Sequence, residues 1–193
     1  MILENSLPEN STISSIDFSS DDKRLAVSGF TSSTGTGTVT MIDLPPMDGT
    51  SPLWLAELAE TVAQETGREA LPVACHVAEW DKCEALVEAA YERFGRVDVF
   101  VNNAGMSPHY PSLAEVSEAL WDKVIGVNLK GPFRLMALVA TRMALAEGGS
   151  VINISSTAAV QPSPFEIPYA AAKAGLNTMT VGLARAFGPK VRI

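Results

Sequence analysis

Tyr169 and Lys173 stand four residues apart in an alanine-rich stretch, Tyr169-Ala170-Ala171-Ala172-Lys173-Ala174-Gly175. On a helix this spacing puts both side chains on one face, and the small neighbours strip bulk from it. Such a pair can move a proton. A tyrosine hydroxyl is by itself too weak an acid to exchange easily near neutrality, and a lysine ammonium nearby stabilises the phenolate. A Tyr/Lys pair at this spacing is also common surface decoration, so it gains meaning only from its company. Ser155-Ser156 closes an apolar run from Val151 to Ile154. A serine there can orient a substrate oxygen or simply serve a turn. Asn128, within Gly126-Val127-Asn128-Leu129-Lys130-Gly131, is a poor mid-helix residue that needs a hydrogen-bond partner; a helix kink at Gly131-Pro132 is the plainer reading. Asn102-Asn103-Ala104-Gly105 follows the apolar run Val97 to Val101. Its small residues permit close approach of a ligand or a backbone, and its amides can bridge strand ends.

The elements that must position these residues alternate in type. Thr38 to Leu44, Leu71 to Val77, Val97 to Val101 and Val151 to Ile154 read as strands, the last two as strands buried on both faces. Ser51 and Pro52 start a helix that runs through Leu55, Leu58 and Val62 to Gly67. A second helix spans 80–94, with Leu86, Val87, Ala90 and Phe94 inward. A long helical region covers 113–145, bent or broken by Gly126 and Pro132, and another helix covers 167–187. This alternation predicts an α/β domain with a parallel sheet, whose ligands bind beyond the carboxyl ends of the strands. Residues 1–20 read as a loose polar tail and 21–193 as the domain.

In order and spacing, these four pieces resemble the short-chain dehydrogenase/reductase family. The resemblance runs from about residue 53 to 193. Asn102-Asn103-Ala104-Gly105 matches its Asn-Asn-Ala-Gly motif, and Asn128 matches its active-site Asn. Ser156 lies thirteen positions before Tyr169 and matches the catalytic Ser. Tyr169 and Lys173 match its Tyr-x-x-x-Lys pair. The resemblance implies that the sheet is Rossmann-like and doubly wound, and that the chemistry is hydride transfer between a nicotinamide cofactor and an alcohol or ketone. Tyr169 would be acid and base, Lys173 would tune it and hold the nicotinamide ribose, Ser156 would orient the substrate oxygen, and Asn128 would hold a water of a proton relay. It also implies cofactor contacts from Val77, Asn102, Ala104, Gly105, Tyr169 and Lys173. The helices at 113–145 and 167–187 would pair in a homodimer or homotetramer.

The beginning of the chain departs from that pattern. After Leu25-Ala26-Val27-Ser28-Gly29, the glycines Gly35 and Gly37 would serve the phosphate loop, though two residues late. Asp43 would grip the adenosine ribose and favour NAD, with NADP also open. Only five residues separate Gly37 from Asp43, and a crossover with a helix needs at least about 10–12. The first crossover helix is therefore expected to be missing. A hairpin of 24–28 with 38–43 is one alternative, and a β-propeller-like blade over 12–47 is another. The last residues, Val191 to Ile193, resemble a strand cut short, so a fragment lacking the family's lid is expected. A catalytically silent Rossmann-like module is the rival function.

Composition narrows the rest. A formal net charge of -8 repels phosphate backbones and argues against nucleic acid. No apolar run reaches the roughly 18 residues that suggest a membrane span. Two cysteines, Cys75 and Cys83, suit free thiols in the cytoplasm. The absence of a Cys/His cluster at zinc spacing argues against a structural metal. A serine hydrolase lacks its Gly-x-Ser-x-Gly elbow.

Overall fold

A computed structural model describes strands at 11–18, 24–31 and 37–43 and the continuous stretch 53–193. The chain divides into two compact units, residues 1–74 and 75–193. In the first, β1 (Ser11–Phe18), β2 (Arg24–Thr31) and β3 (Gly37–Asp43) form an antiparallel meander. The ladders run from Ser11 opposite Thr31 to Phe18 opposite Leu25, and from Arg24 opposite Asp43 to Phe30 opposite Gly37. Short connections can join only antiparallel neighbours, so the hairpin alternative is the one formed, and β2 leads to a strand instead of a helix. The blade-like alternative also implies antiparallel strands here. Ser11–Phe18 lies inside the stretch expected to be a loose tail; its β-branched and aromatic residues (Thr12, Ile13, Ile16, Phe18) favour a strand. α1 (Leu53–Thr66) follows and stops at Gly67, whose φ of 66° suits glycine. Ser51 and Pro52, its expected start, lie outside the described residues.

The second unit contains α2 (Trp80–Phe94), β4 (Val99–Asn102), α3 (Glu118–Ile125), a π turn (Gly126–Lys130), α4 (Gly131–Leu145), β5 (Gly149–Asn153), α5 (Ile167–Phe187) and β6 (Val191–Arg192). The sheet order is β4-β5-β6, all parallel. α4 and α5 are the crossovers. This is a Rossmann-like α/β arrangement. Its core brings Cys83 and Val87 of α2 against Met136, Val139, Ala140 and Met143 of α4, Val151 of β5, Leu176 of α5 and Val191 of β6. Each Val, Leu or Met side chain among them contributes roughly 1.5–3 kcal/mol by leaving water. Arg134–Glu84 and Arg142–Glu88 ion pairs tie α4 to α2 at the surface.

Three expectations need correction. Residues 71–77 form no strand. The segment joins neither of the two three-stranded sheets. Leaving 71–77 without a ladder costs it the reason to be a strand. Second, β5 is not buried on both faces: Val151 is 3% exposed but Ile152 is 46% exposed. α2, α4 and α5 all pack through the face that carries Val151. Finally, of the bend or break expected at Gly126 and Pro132, the break does not occur within 118–145. The run stays helical through the π turn, closed by the Gly131 N–H on the Gly126 carbonyl. Pro132 has no N–H to give the Asn128 carbonyl four residues earlier, and the wider turn accommodates that loss. The run is long and apolar enough to match a membrane span in composition, yet half of its most apolar stretch is buried inside the protein.

Residues 77–78 pack against this turn from outside. A Cβ on Gly131 would lie 2.2 Å from the Val77 carbonyl oxygen, and one on Gly126 would lie 2.9 Å from Ala78 Cβ. Gly182 on α5, by contrast, has nothing within 4 Å. Gly182→Ala is therefore expected to stabilise by roughly 0.5–1 kcal/mol through helix propensity. Gly131→Ala is expected to destabilise by roughly 1–3 kcal/mol despite the same propensity gain. Urea unfolding midpoints of the two variants test this; a stabilised Gly131→Ala would contradict the packing.

Candidate active site

The parallel strands β4 and β5 end side by side, and their last residues are both asparagines. Asn102, 6% exposed, donates its amide to Asn153 Oδ1 at 2.9 Å and to the Pro132 carbonyl at 3.3 Å. Asn153 donates in turn to Thr180 Oγ1 at 2.9 Å, and Thr180 donates to the Leu176 carbonyl at 2.8 Å. This polar rung binds both strand ends to α5. Buried amides are costly when unpaired, so the rung fixes the geometry above it.

Asn128 is fully buried in the π turn. Its Nδ2 donates to the Met106 carbonyl at 2.8 Å and to the Val124 carbonyl at 2.9 Å, and its Oδ1 accepts from the Met106 N–H at 3.1 Å. The side chain thus grips the turn after β4 on both its backbone groups. The partner that a buried Asn requires is that turn. A kink alone does not account for it.

Lys173 lies on α5, 3% exposed. Its Nζ donates to the Ile154 carbonyl at 2.7 Å, just past the end of β5, and sits 5.7 Å from the centre of the Tyr169 ring. Burial pushes the Lys173 ammonium below its ordinary 10.5. Gly105 joins these groups: a Cβ there would lie 3.1 Å from Asn128 Oδ1 and 3.6 Å from Lys173 Nζ. Any side chain would crowd the ammonium. Asn128, Gly105, Tyr169 and Lys173 are therefore brought together.

Ser156 follows on the same strand end. Its Oγ accepts from the Ala158 N–H at 3.1 Å and starts a short 3₁₀ turn. The neighbouring Ser155 Oγ is buried without a hydrogen-bond partner. Ala104 is exposed. Val77 lies behind the site, where its carbonyl accepts from the Cys83 thiol at 3.2 Å. Gly29 lies within β2 opposite Thr38, Gly37 opens β3, and Asp43 ends it opposite Arg24; Gly35 lies outside the described residues. Gly29 and Gly37 thus stand in antiparallel strands, and among the described residues β2 is followed by β3 and not by a helix. Tyr110 was not singled out by its sequence context. It is 8% exposed, donates to the Pro164 carbonyl at 3.0 Å and accepts from the Ile167 N–H at 2.9 Å. It fastens the start of α5, two residues before Tyr169, to the turn after β4. No local spacing signals a contact between positions so far apart in the chain.

The sequence profile of the family described as short chain dehydrogenase matches residues 49–193. The chain belongs to the short-chain dehydrogenase family. The matched part contains the whole second unit and leaves out β1, β2 and β3. Dehydrogenase/reductase SDR family member 4 of Pongo abelii is 36% identical over 132 residues, covering 68% of this chain and 48% of that protein. The 3-oxoacyl-[acyl-carrier-protein] reductase FabG of Thermotoga maritima is 37% identical over 123 residues, covering 63% and 50%. The chain spans about half the length of the curated relatives it matches. Among solved structures, one described as a short-chain alcohol dehydrogenase from Sinorhizobium meliloti 1021 superposes with a TM-score of 0.69 at 34% identity, covering 74% of this chain and 56% of that one. NAD+-bound xylitol dehydrogenase superposes with a TM-score of 0.69 at 23% identity, over 74% and 55%, and shares the fold.

The site's electrostatics give a pH signature. The interior disfavours protonated Lys173, so the unfolded chain holds that proton more tightly. Stability conferred on the wild type therefore rises with pH between the lowered folded value and the ordinary 10.5, and is flat below that window. Lys173→Met removes the titration. The difference in unfolding free energy between variant and wild type is expected to move in favour of the wild type as pH rises toward the ordinary 10.5. Denaturant titrations across these pH values test it; a difference that does not change with pH would contradict the burial cost.

Proposed function

We propose that this chain carries the catalytic half of an oxidoreductase that moves a hydride between a nicotinamide cofactor and a small alcohol or ketone. The observation that carries the reading is the buried Lys173 ammonium, held between the Ile154 carbonyl and Gly105 beside the Tyr169 ring. An ammonium there stabilises negative charge on the tyrosine oxygen, and so eases proton transfer to and from a substrate oxygen. Ser156 would orient that oxygen.

The residues fit the nicotinamide end of the cofactor. An ammonium has three donors, of which the Ile154 carbonyl takes one, and the bare Gly105 leaves room for a ribose against it. The orphaned Ser155 hydroxyl offers a further polar contact. When bound, the cofactor supplies or accepts the hydride. Asn128 would hold the relay water through its backbone. Both donors of its amide are committed to Met106 and Val124. Its backbone carbonyl, deprived of an N–H by Pro132, is the group suited to hold a relay water.

A second reading has its own observation. Gly29 and Gly37 lie in paired antiparallel strands, outside the family match, so neither they nor Asp43 supports a phosphate cradle or a preference for NAD. A silent module that keeps the active-site residues follows if the dinucleotide does not bind.

Titration of the purified chain with NADH and with NADPH, followed by ketone reduction, separates the readings. Saturable binding, with turnover lowered roughly 10²–10⁴-fold in Tyr169→Phe and binding retained, supports the oxidoreductase. A folded chain that binds neither dinucleotide up to millimolar concentration supports the silent module.

A further inference from the structure

Cys75 and Cys83 are free thiols gathered at one turn, where the Cys75 thiol reaches the carbonyl of Lys82, the residue next to Cys83. Their surroundings differ in a useful way. Cys83 is fully buried in the first turn of α2, within the core, and cannot move without disturbing it. Cys75 is half-buried in the segment that carries no strand or helix. The chain turns back between them, with the Glu79 N–H on the His76 carbonyl at 2.9 Å and the Cys83 N–H on the Glu79 carbonyl at 3.2 Å. Cys75 donates to the Lys82 carbonyl at 3.5 Å, and Cys83 to the Val77 carbonyl at 3.2 Å. The second bond matters most, because the Val77 carbonyl is the group pressed against Gly131.

We propose that Cys75 and Cys83 form a reversible disulfide, and that its closure releases the hold of Cys83 on Val77 and loosens the 77–78 segment from the π turn that carries Asn128. A disulfide needs sulfurs about 2.05 Å apart, closer than hydrogen-bond contact, and Cys75 is the partner free to make that approach. The oxidant is a low-molecular-weight disulfide. The Cys75 thiolate attacks one of its sulfurs and expels a small thiol, leaving a mixed disulfide. Cys83 then gives up its proton and attacks Cys75 Sγ, expelling the second small thiol. Two protein thiols are oxidised and one small disulfide is reduced. The lost Cys83 proton is the one that bonds the Val77 carbonyl. Burial raises both thiols, Cys83 to about 11, so they remain protonated near neutrality. The reaction should then quicken about tenfold per pH unit below those values.

The coupling runs from Val77 and Ala78 to Gly131 and Gly126, which flank Asn128. It does not depend on the reaction proposed above, and its test uses no cofactor. The intact chain is incubated with oxidised glutathione, alkylated and digested without reduction. The expected result is a linked peptide pair joining Cys75 to Cys83, no protein dimer, reversal by dithiothreitol, and faster deuterium uptake at 126–131 in the oxidised protein. Cys83→Ala should stop at a glutathione adduct on Cys75, and Cys75→Ser should leave Cys83 unmodified in the folded chain. A stable glutathione adduct on wild-type Cys75, an intermolecular link, or two thiols still open to alkylation after unfolding would overturn the disulfide, whether or not the variants fold. Unchanged uptake at 126–131 in a protein shown to be linked would overturn the coupling.

Discussion

The arrangement depends on one buried amide. Asn128 has no access to water, so its side chain must find partners inside the protein, and leaving a buried polar group unpaired costs about 1–3 kcal/mol. Three hydrogen bonds meet that demand, one to the Val124 carbonyl of its own helix and two that fix the backbone of Met106. That fixes the turn after β4, which places Gly105 against Lys173. The π turn is the local adjustment that allows an asparagine and a following proline to coexist in a continuous helix. A structural irregularity and a proposed site residue coincide there, as they often do at π bulges.

Lys173 imposes the complementary constraint. Its ammonium is held in the interior at a cost that the Ile154 carbonyl offsets only in part, as the lowered pKa shows. The Asn102–Asn153–Thr180 rung below and the Tyr110 clamp at the start of α5 keep the ammonium in register with Tyr169. Behind the site, residues 77–78 seat closely on Gly126 and Gly131, and the Val77 carbonyl there accepts from the Cys83 thiol.

Much of this was legible in the residues. The 3.6-residue periodicity and the glycine stops gave α2 its span of 80–94, and the alanine-rich run gave α5 its span of 167–187. The Tyr-x-x-x-Lys spacing, the Asn-Asn-Ala-Gly turn and Asn128 pointed to one site, and the fold gathers them there. What was not legible is non-local. Tyr110 meets Pro164 and Ile167 only in the folded chain, and Asn153 gains its role only when β4 and β5 lie side by side. The segment 71–77 has the composition of a strand, but a strand exists only with a neighbour. The hairpin of β2 and β3 was foreseeable from chain length alone, because five residues cannot hold a crossover helix.

The central claim is that Asn128 organises this site within the chain itself, before any ligand binds. Native-state hydrogen exchange of the Met106 amide, measured on the wild type and on Asn128→Ala, addresses it directly. The account predicts that in the wild type this amide exchanges as slowly as amides of the α4 core, and that the substitution speeds it by at least ~10-fold, the loss of about 1.4 kcal/mol of protection. Rapid exchange at Met106 in the wild type, or protection unchanged by the substitution, would contradict it.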